Sequence, residues 1–130
     1  MAEHNEIGRI GEKIAITFLM KHGFTILERN YATRLGELDI VAEKDEVLHF
    51  IEVKSIKVRD FENLDTLPIK PEDNLTLRKW SKLRITIEQY RLHKSVSDET
   101  PQQIDLACVY INTEKRQGRV SYLENIHKEE

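Results

Sequence analysis

The stretch from Gly36 to Lys54 limits the fold of this chain more than any other. Gly36-Glu37-Leu38-Asp39-Ile40 is followed, across the polar turn Glu43-Lys44-Asp45-Glu46, by Ile51-Glu52-Val53-Lys54. Leu38, Ile40 and Ala42 alternate with Glu37, Asp39 and Val41, and Val47 to Val53 is broken only by His49 and Glu52. That pattern predicts a β-hairpin. A turn centred between Lys44 and Asp45 sets Asp39 opposite Phe50 and Glu37 opposite Glu52. Side chains alternate along a strand, so this register puts Asp39, Glu52 and Lys54 on one face. Moving the turn centre by a whole residue keeps them together, and moving it by half a residue separates them.

Two carboxylates held close repel unless something positive lies between them. Lys54 is one such charge, but it leaves carboxylate oxygens free for a divalent cation, and hard oxygen ligands suit Mg²⁺ or Mn²⁺. An Asp followed by Glu-x-Lys on the next strand fits metal-dependent phosphodiester cleavage, in which carboxylates hold the metal and the lysine steadies the attacking water or the phosphorane charge. The tripeptide alone is also a common same-face ion pair on solvated strands. Here Glu52 stands at the end of an otherwise apolar strand, where a charge needs a reason.

Around this hairpin, 130 residues with 39% hydrophobic content predict one globular domain over 1–130. The apolar run Leu106 to Ile111 is too short to span a bilayer, and no basic region followed by an apolar stretch opens the chain. A soluble, cytoplasmic protein without membrane association is expected. The single cysteine, Cys108, lies inside that run and reads as a buried structural thiol. The five histidines lack ligand spacing and are assigned no metal role.

Residues 6–22 predict a helix capped by Asn5 and stopped by Gly23, with Ile7, Ile10, Ile14 and Phe18 on its buried face and Phe24 folding back towards Leu19. Glu12 falls on the flank of that stripe, near Gly8, Ala15 and Leu19. Gly8 and Gly11 each cost a helix roughly 1 kcal/mol against alanine. Small residues there would admit another backbone or a phosphate. A first strand over 24–32 leads through Arg34 into the hairpin. From Ser55 to Asn74 periodicity is lost, and residues 56–74 form an acidic long loop.

A second helix is expected over 75–93, with Leu77, Trp80, Leu83, Ile87 and Tyr90 as its apolar stripe. Between Thr76 and Lys94 six Arg or Lys stand against the one acid Glu88, a local charge of +5 in a chain of net −3. An acidic protein with one basic face can still bind a phosphate backbone, and an ordinary solvated helix face has the same composition. Ile104 to Ile111 predicts a strand covered on both faces, with Asp105 at its start. A turn at 115–118 leads to an edge strand over 120–126 and a polar tail over 127–130. The order αβββαββ is a meander, a helical crossover and a strand returning parallel, hence a mixed α/β sheet flanked by helices.

Four segments in order carry a resemblance: Gly8-Arg9-Ile10-Gly11-Glu12, Gly23 to Tyr31, Gly36-Glu37-Leu38-Asp39-Ile40 and Phe50-Ile51-Glu52-Val53-Lys54-Ser55. Together they resemble the YraN-like family of bacterial proteins, within the PD-(D/E)XK superfamily of restriction endonucleases and Holliday-junction resolvases. The resemblance implies a restriction endonuclease-like αβββαβ core with an extra C-terminal edge strand. It implies Asp39 and Glu52 as ligands of Mg²⁺ or Mn²⁺, helped by the carbonyl of Val53, with Lys54 as the catalytic lysine and Glu12 as the acid of the first helix. Glu37 belongs to the motif, and Lys79 is a candidate phosphate contact. Arg34, Ser55, Arg78, Lys79 and Lys82 are the residues expected to meet nucleic acid.

Three classes of function follow. The first is a Mg²⁺-dependent endonuclease acting on DNA, including branched or structured DNA. A twofold homodimer would supply the two sites needed to cut both strands. The second is a nuclease-fold protein with little activity that binds nucleic acid, and the third is an interaction module that sets the basic helix on an acidic protein.

Overall fold

A tight turn at Asp45-Glu46 fixes the register of the whole sheet. In the computed structural model, which describes residues 2–62 and 77–126, both turn residues have positive φ, 53° and 64°. Two such residues form the hairpin loop whose twist matches that of the flanking strands. Lys44 pairs with Val47, Val41 with Phe50 and Ile40 with Ile51. The turn centre thus lies one whole residue beyond the position expected from the sequence, a shift that preserves the parity of the two strands.

The elements run α1 (Ala2–Lys21), β1 (Thr25–Ala32), β2 (Glu37–Lys44), β3 (Val47–Lys57), α2 (Leu77–His93), β4 (Gln102–Asn112) and β5 (Gln117–Leu123). The five strands form one mixed sheet in the order β1-β2-β3-β4-β5, with β3 and β4 parallel and the other neighbours antiparallel. The expected αβββαββ order and its parallel return are therefore present. α1 packs on one face of the sheet through Ala15 and Leu19, against Ile40, Ala42, Ile51, Ala107 and Val109. On the other face α2 packs through Leu83, Ile87 and Tyr90, against Leu38, Val41, Leu48, Phe50 and Ile104.

Several boundaries differ from expectation. α1 begins at Ala2, so Asn5 lies within it rather than capping it. Its deepest line is Gly11, Ala15 and Leu19, with Ile7, Ile10, Ile14 and Phe18 half-buried beside it. Small residues let the helix axis come close to the sheet. Gly23, at φ +88°, ends the helix, and the Phe24 N–H donates to the Leu19 carbonyl at 3.0 Å, folding the chain back as expected. β3 continues past Lys54 to Lys57, because β4 runs alongside to pair Lys57 with Ile111. Ser55, Ile56 and Lys57 are therefore strand rather than loop. The rest of the expected loop over 63–74, the first two residues of the expected helix over 75–93 and the tail over 127–130 lie outside the described residues. Leu77 opens α2 almost fully exposed, and Trp80, one turn on, makes the first packing contact of the stripe. β5 starts at Gln117 and ends at Leu123, earlier at both ends than expected.

Asp105, expected at the start of β4, is wholly buried. It accepts hydrogen bonds from Gln103 Nε2 at 2.8 Å, the Asn125 N–H at 2.8 Å and the Tyr122 hydroxyl, and it pairs with His49 Nδ1 at 2.6 Å. This network joins β3, β4 and β5. Burial and the bond to Asp105 push the Tyr122 hydroxyl well above its usual range. Cys108, the single cysteine, is buried in β4.

Candidate active site

β2 and β3 stop pairing at Ile40 and Ile51, and the candidate site occupies the gap beyond them. Continuing the register by one step sets Asp39 across from Glu52. The pleat is broken there: Leu38 and Val41 face α2, whereas Ile40 and Ala42 face α1, so the alternation of β2 fails at Asp39. In β1 the residue facing this break is Asn30, whose neighbours Arg29 and Tyr31 pair with Ile40 and Leu38. Asn30 has a left-handed backbone, φ 51°, a conformation asparagine tolerates better than most residues. The two carboxylates therefore meet across a gap rather than standing on one regular face.

Val53 explains why the strands part. Its N–H donates to Asp39 Oδ2 at 2.9 Å, so a side chain takes the place of a strand partner. The N–H and C=O of a strand residue point to the same edge, which turns the Val53 carbonyl towards the same gap.

Burial pushes the Glu52 carboxyl up from 4.5 to about 9, reinforced by the Asp39 charge, a hydrogen bond between the two carboxyl groups and the Glu37 charge; Lys79 on α2 acts in the opposite direction. At neutral pH Glu52 thus keeps its proton. The two carboxylates and the backbone carbonyl are all oxygen donors, the ligand type that Mg²⁺ or Mn²⁺ takes. Among the described residues, no three His, Cys, Asp or Glu side chains gather into a complete cage. Further positions would fall to solvent and substrate, as is usual for Mg²⁺.

Two cavities flank the pair. The larger, about 630 Å³, lies on the α1 side and takes in Asp39, Glu12, Ser55, Gly8, Arg9 and Lys13. The smaller, about 300 Å³, lies on the α2 side and takes in Glu52, Lys79, Lys82 and Thr86. Glu37, Val53 and Lys54 line both. Glu12 is held at the far wall of the larger cavity, where Asn30 Nδ2 donates to its Oε1 at 2.9 Å and Arg29 approaches the same oxygen at 3.6 Å. Gly11 lets α1 approach this closely, since a Cβ there would lie 1.8 Å from Ser55 Oγ.

A family model described as uncharacterised protein family UPF0102 matches residues 11–109. The chain belongs to that family. A UPF0102 protein of a Nitratiruptor species is 43% identical over 107 residues, 82% of this chain and 85% of its own length. One from Campylobacter hominis is 42% identical over 121 residues, 93% of each chain. One from Campylobacter jejuni subsp. jejuni serotype O:2 is 40% identical over 119 residues, 92% of this chain and 91% of its own. The YraN-like resemblance seen in the sequence motifs is this family.

The UPF0102 match spans most of the residues around the gap, from Glu12 through Lys82. Of the residues expected at the site, Glu12, Asp39, Glu52, Val53, Lys54, Ser55, Lys79 and Lys82 all line the two cavities, together with Glu37. Arg34 and Arg78 are exposed and line neither. Sequence reasoning missed Asn30 and Arg29 as the anchors of Glu12, although both lie in the quoted Gly23 to Tyr31 segment. An asparagine interrupting a strand is the signal that pointed to the left-handed residue. It also named no basic residue of α1, whereas Arg9 and Lys13, one turn apart on that helix, line the larger cavity.

Proposed function

We propose that this UPF0102 chain is a metal-dependent endonuclease that hydrolyses DNA phosphodiester bonds at the gap between β2 and β3, acting in the cytoplasm. The observation that carries the proposal is the half-buried Asp39–Glu52 pair, hydrogen-bonded carboxyl to carboxyl, beside Lys54 and between two cavities lined by basic residues. A structural role gives no reason to press two half-buried carboxylates against each other, whereas a cation site does. The order αβββαβ, with Asp39 where β2 parts from β3 and Glu52-x-Lys54 on β3, is the arrangement that the resemblance to the restriction endonuclease-like superfamily implies.

A bound Mg²⁺ or Mn²⁺ supplies a Lewis acid for the phosphate oxygen and a more acidic water. Asp39, Glu52 and the Val53 carbonyl are the groups that would hold it, and Glu52 must give up its proton to do so. Lys54, which lines both cavities, would offset charge on the phosphate as it becomes five-coordinate. Glu12, fixed through Oε1 by Asn30 and Arg29, orients water across the larger cavity. Arg9, Lys13, Lys79 and Lys82 attract and position the backbone without reading sequence. A homodimer would bring two such sites to one DNA.

Calorimetric titration of Mg²⁺ and Mn²⁺ into the wild type and Asp39→Ala, beside cleavage assays on duplex, single-stranded, flap and four-way DNA, tests the proposal. Metal binding and cutting that both vanish in Asp39→Ala support it. A wild type that binds neither metal even with DNA present removes it. Metal binding with salt-sensitive DNA binding but no cutting on any substrate leaves the reading of a nucleic-acid-binding protein with a nuclease fold.

A further inference from the structure

Arg29 and Asn30 are consecutive residues of β1, yet both reach the same oxygen of Glu12. Asn30 Nδ2 donates to Glu12 Oε1 at 2.9 Å, and Arg29 lies 3.6 Å from that oxygen. In a regular strand neighbouring side chains point to opposite faces of the sheet, so one of the two would be carried to the α2 side. The pairing of β1 with β2 shows where the alternation fails. Glu28 is opposite Val41 and Tyr31 is opposite Leu38, both on the α2 face, while Arg29 is opposite Ile40 on the α1 face. Glu28 and Tyr31 are three positions apart and share a face, which strict alternation forbids. The left-handed backbone of Asn30, φ 51°, lies between them and supplies the missing step.

Glu12 is where that step is used. Its side chain is only 15% exposed, and it lines the larger cavity with Asp39, Lys54 and Ser55. The backbone beneath it is fixed, because Gly11 sits against Ser55 with no room for a Cβ. Its tip is less constrained, since a glutamate has several rotatable bonds and Arg9 and Lys13 line the same cavity. The two β1 partners differ in their hold on it. The Asn30 amide is at hydrogen-bond distance, whereas Arg29 is beyond it and 52% exposed. Both contacts fall on Oε1, so the amide fixes the carboxylate without using Oε2.

Resting on the nuclease reading above, we propose that Asn30 is a positioning residue of the site. Its left-handed backbone turns the amide to the α1 side, and the amide holds the Glu12 carboxylate where it orients the attacking water. Asn30 acts through Glu12 and not on the reacting atoms. Asparagine suits both tasks, because it tolerates the left-handed conformation and carries a donor. Glycine meets the first task alone, and aspartate meets the first while setting a negative charge against Glu12.

The first test needs neither metal nor DNA. In ¹⁵N spectra of the metal-free full chain, the Asn30 side-chain amide is expected to shift, and to exchange faster with water, in Glu12→Ala than in the wild type. An amide signal that Glu12→Ala leaves unmoved overturns the proposal.

The second test measures cutting with Mn²⁺ on whichever of duplex, single-stranded, flap and four-way DNA the wild type cleaves. Asn30→Gly and Asn30→Asp are expected to lower kcat about tenfold while KM and the calorimetric Mn²⁺ affinity stay within about twofold. Glu12→Ala is expected to lower kcat about a hundredfold, and Glu12→Ala combined with Asn30→Gly no further, because residues that act as a unit are not additive. A further tenfold fall in the double variant, or wild-type cutting by Asn30→Gly, overturns the positioning role and leaves the nuclease intact. A loss of Mn²⁺ affinity that matches the loss of cutting assigns Asn30 to the shape of the gap instead and overturns the role as well. A wild type that cleaves none of the four substrates removes the nuclease reading and this role with it.

Discussion

Replacing Glu52 by glutamine should make the metal-free protein more stable at neutral pH, although it removes a group from the proposed site. In the unfolded chain Glu52 has its ordinary value of 4.5, and in the folded chain it is pushed up to about 9. Between those values the folded state binds a proton that the unfolded state does not, so stability falls as pH rises across the window. Carrying that proton at pH 7 costs about 3 kcal/mol, at roughly 1.4 kcal/mol for each pKa unit between 4.5 and 7. Glutamine is neutral in both states and avoids the cost, while its amide still donates to Asp39. Urea unfolding of wild type and Glu52→Gln in a metal chelator should show a gap near zero at pH 4.5, about 3 kcal/mol at pH 7 in favour of the variant, widening up to pH 9 and constant above it. Saturating Mg²⁺ should close the gap by stabilising only the wild type, by about 2.7 kcal/mol at a hundred times its Kd. A gap independent of pH, or a variant less stable than wild type at pH 7, would refute the account of a proton retained on Glu52.

The buried network around Asp105 gives the opposite case: Asp105→Ala strands His49, Gln103, Tyr122 and the Asn125 N–H together, and the expected loss is about 3–5 kcal/mol by urea unfolding, against about 1 kcal/mol for Tyr122→Phe. The two glycines of α1 should separate packing from propensity. Gly11→Ala forces its Cβ into Ser55 and should lower the melting temperature, whereas Gly8→Ala meets nothing within 4 Å and should gain about 1 kcal/mol. Because Gly8 lines the larger cavity, the same Gly8→Ala variant should bind DNA more weakly, measured by fluorescence anisotropy. Neutralising Lys79 or Lys82 should reduce the slope of log K against log salt for DNA binding by about 1 each, whereas neutralising Arg78, which lines neither cavity, should change it less.

Much of this was legible in the sequence because the fold rests on periodicity. The alternation across Leu38 to Ala42, the apolar run of β4 and the 3.6-residue stripe of Leu83, Ile87 and Tyr90 each specify an element and its buried face. The register was one residue out because nothing local marks which pair of Glu43, Lys44, Asp45 and Glu46 carries positive φ. Glutamate rarely adopts it, yet Glu46 does at 64°. Parity survived the shift, which kept Asp39 and Glu52 together. The extension of β3 to Lys57 was hidden because it comes from pairing with β4, more than fifty residues away in sequence, and not from the residues of β3 itself. The burial of Asp105 was equally out of reach, since its four partners come from three separate segments.

The break at Asp39 ties fold to site. A sheet in which β2 stayed paired with β3 through Leu38 would spend the Val53 N–H and carbonyl on β2 and keep Asp39 in a regular pleat. Instead Asn30 takes a left-handed conformation, Leu38 turns to the α2 side, and Asp39 moves into the gap to accept the Val53 N–H. The same Asn30 that faces the break also reaches Glu12 on the opposite wall, so one asparagine links the loss of strand pairing to the position of the first-helix acid. Local departures from regular structure concentrate where a chain has a chemical use for them. Here the departures at Asn30, Asp39 and Glu52 fall within one gap, beside the cavities that hold Lys79 and Lys82 of α2 and Arg9 and Lys13 of α1.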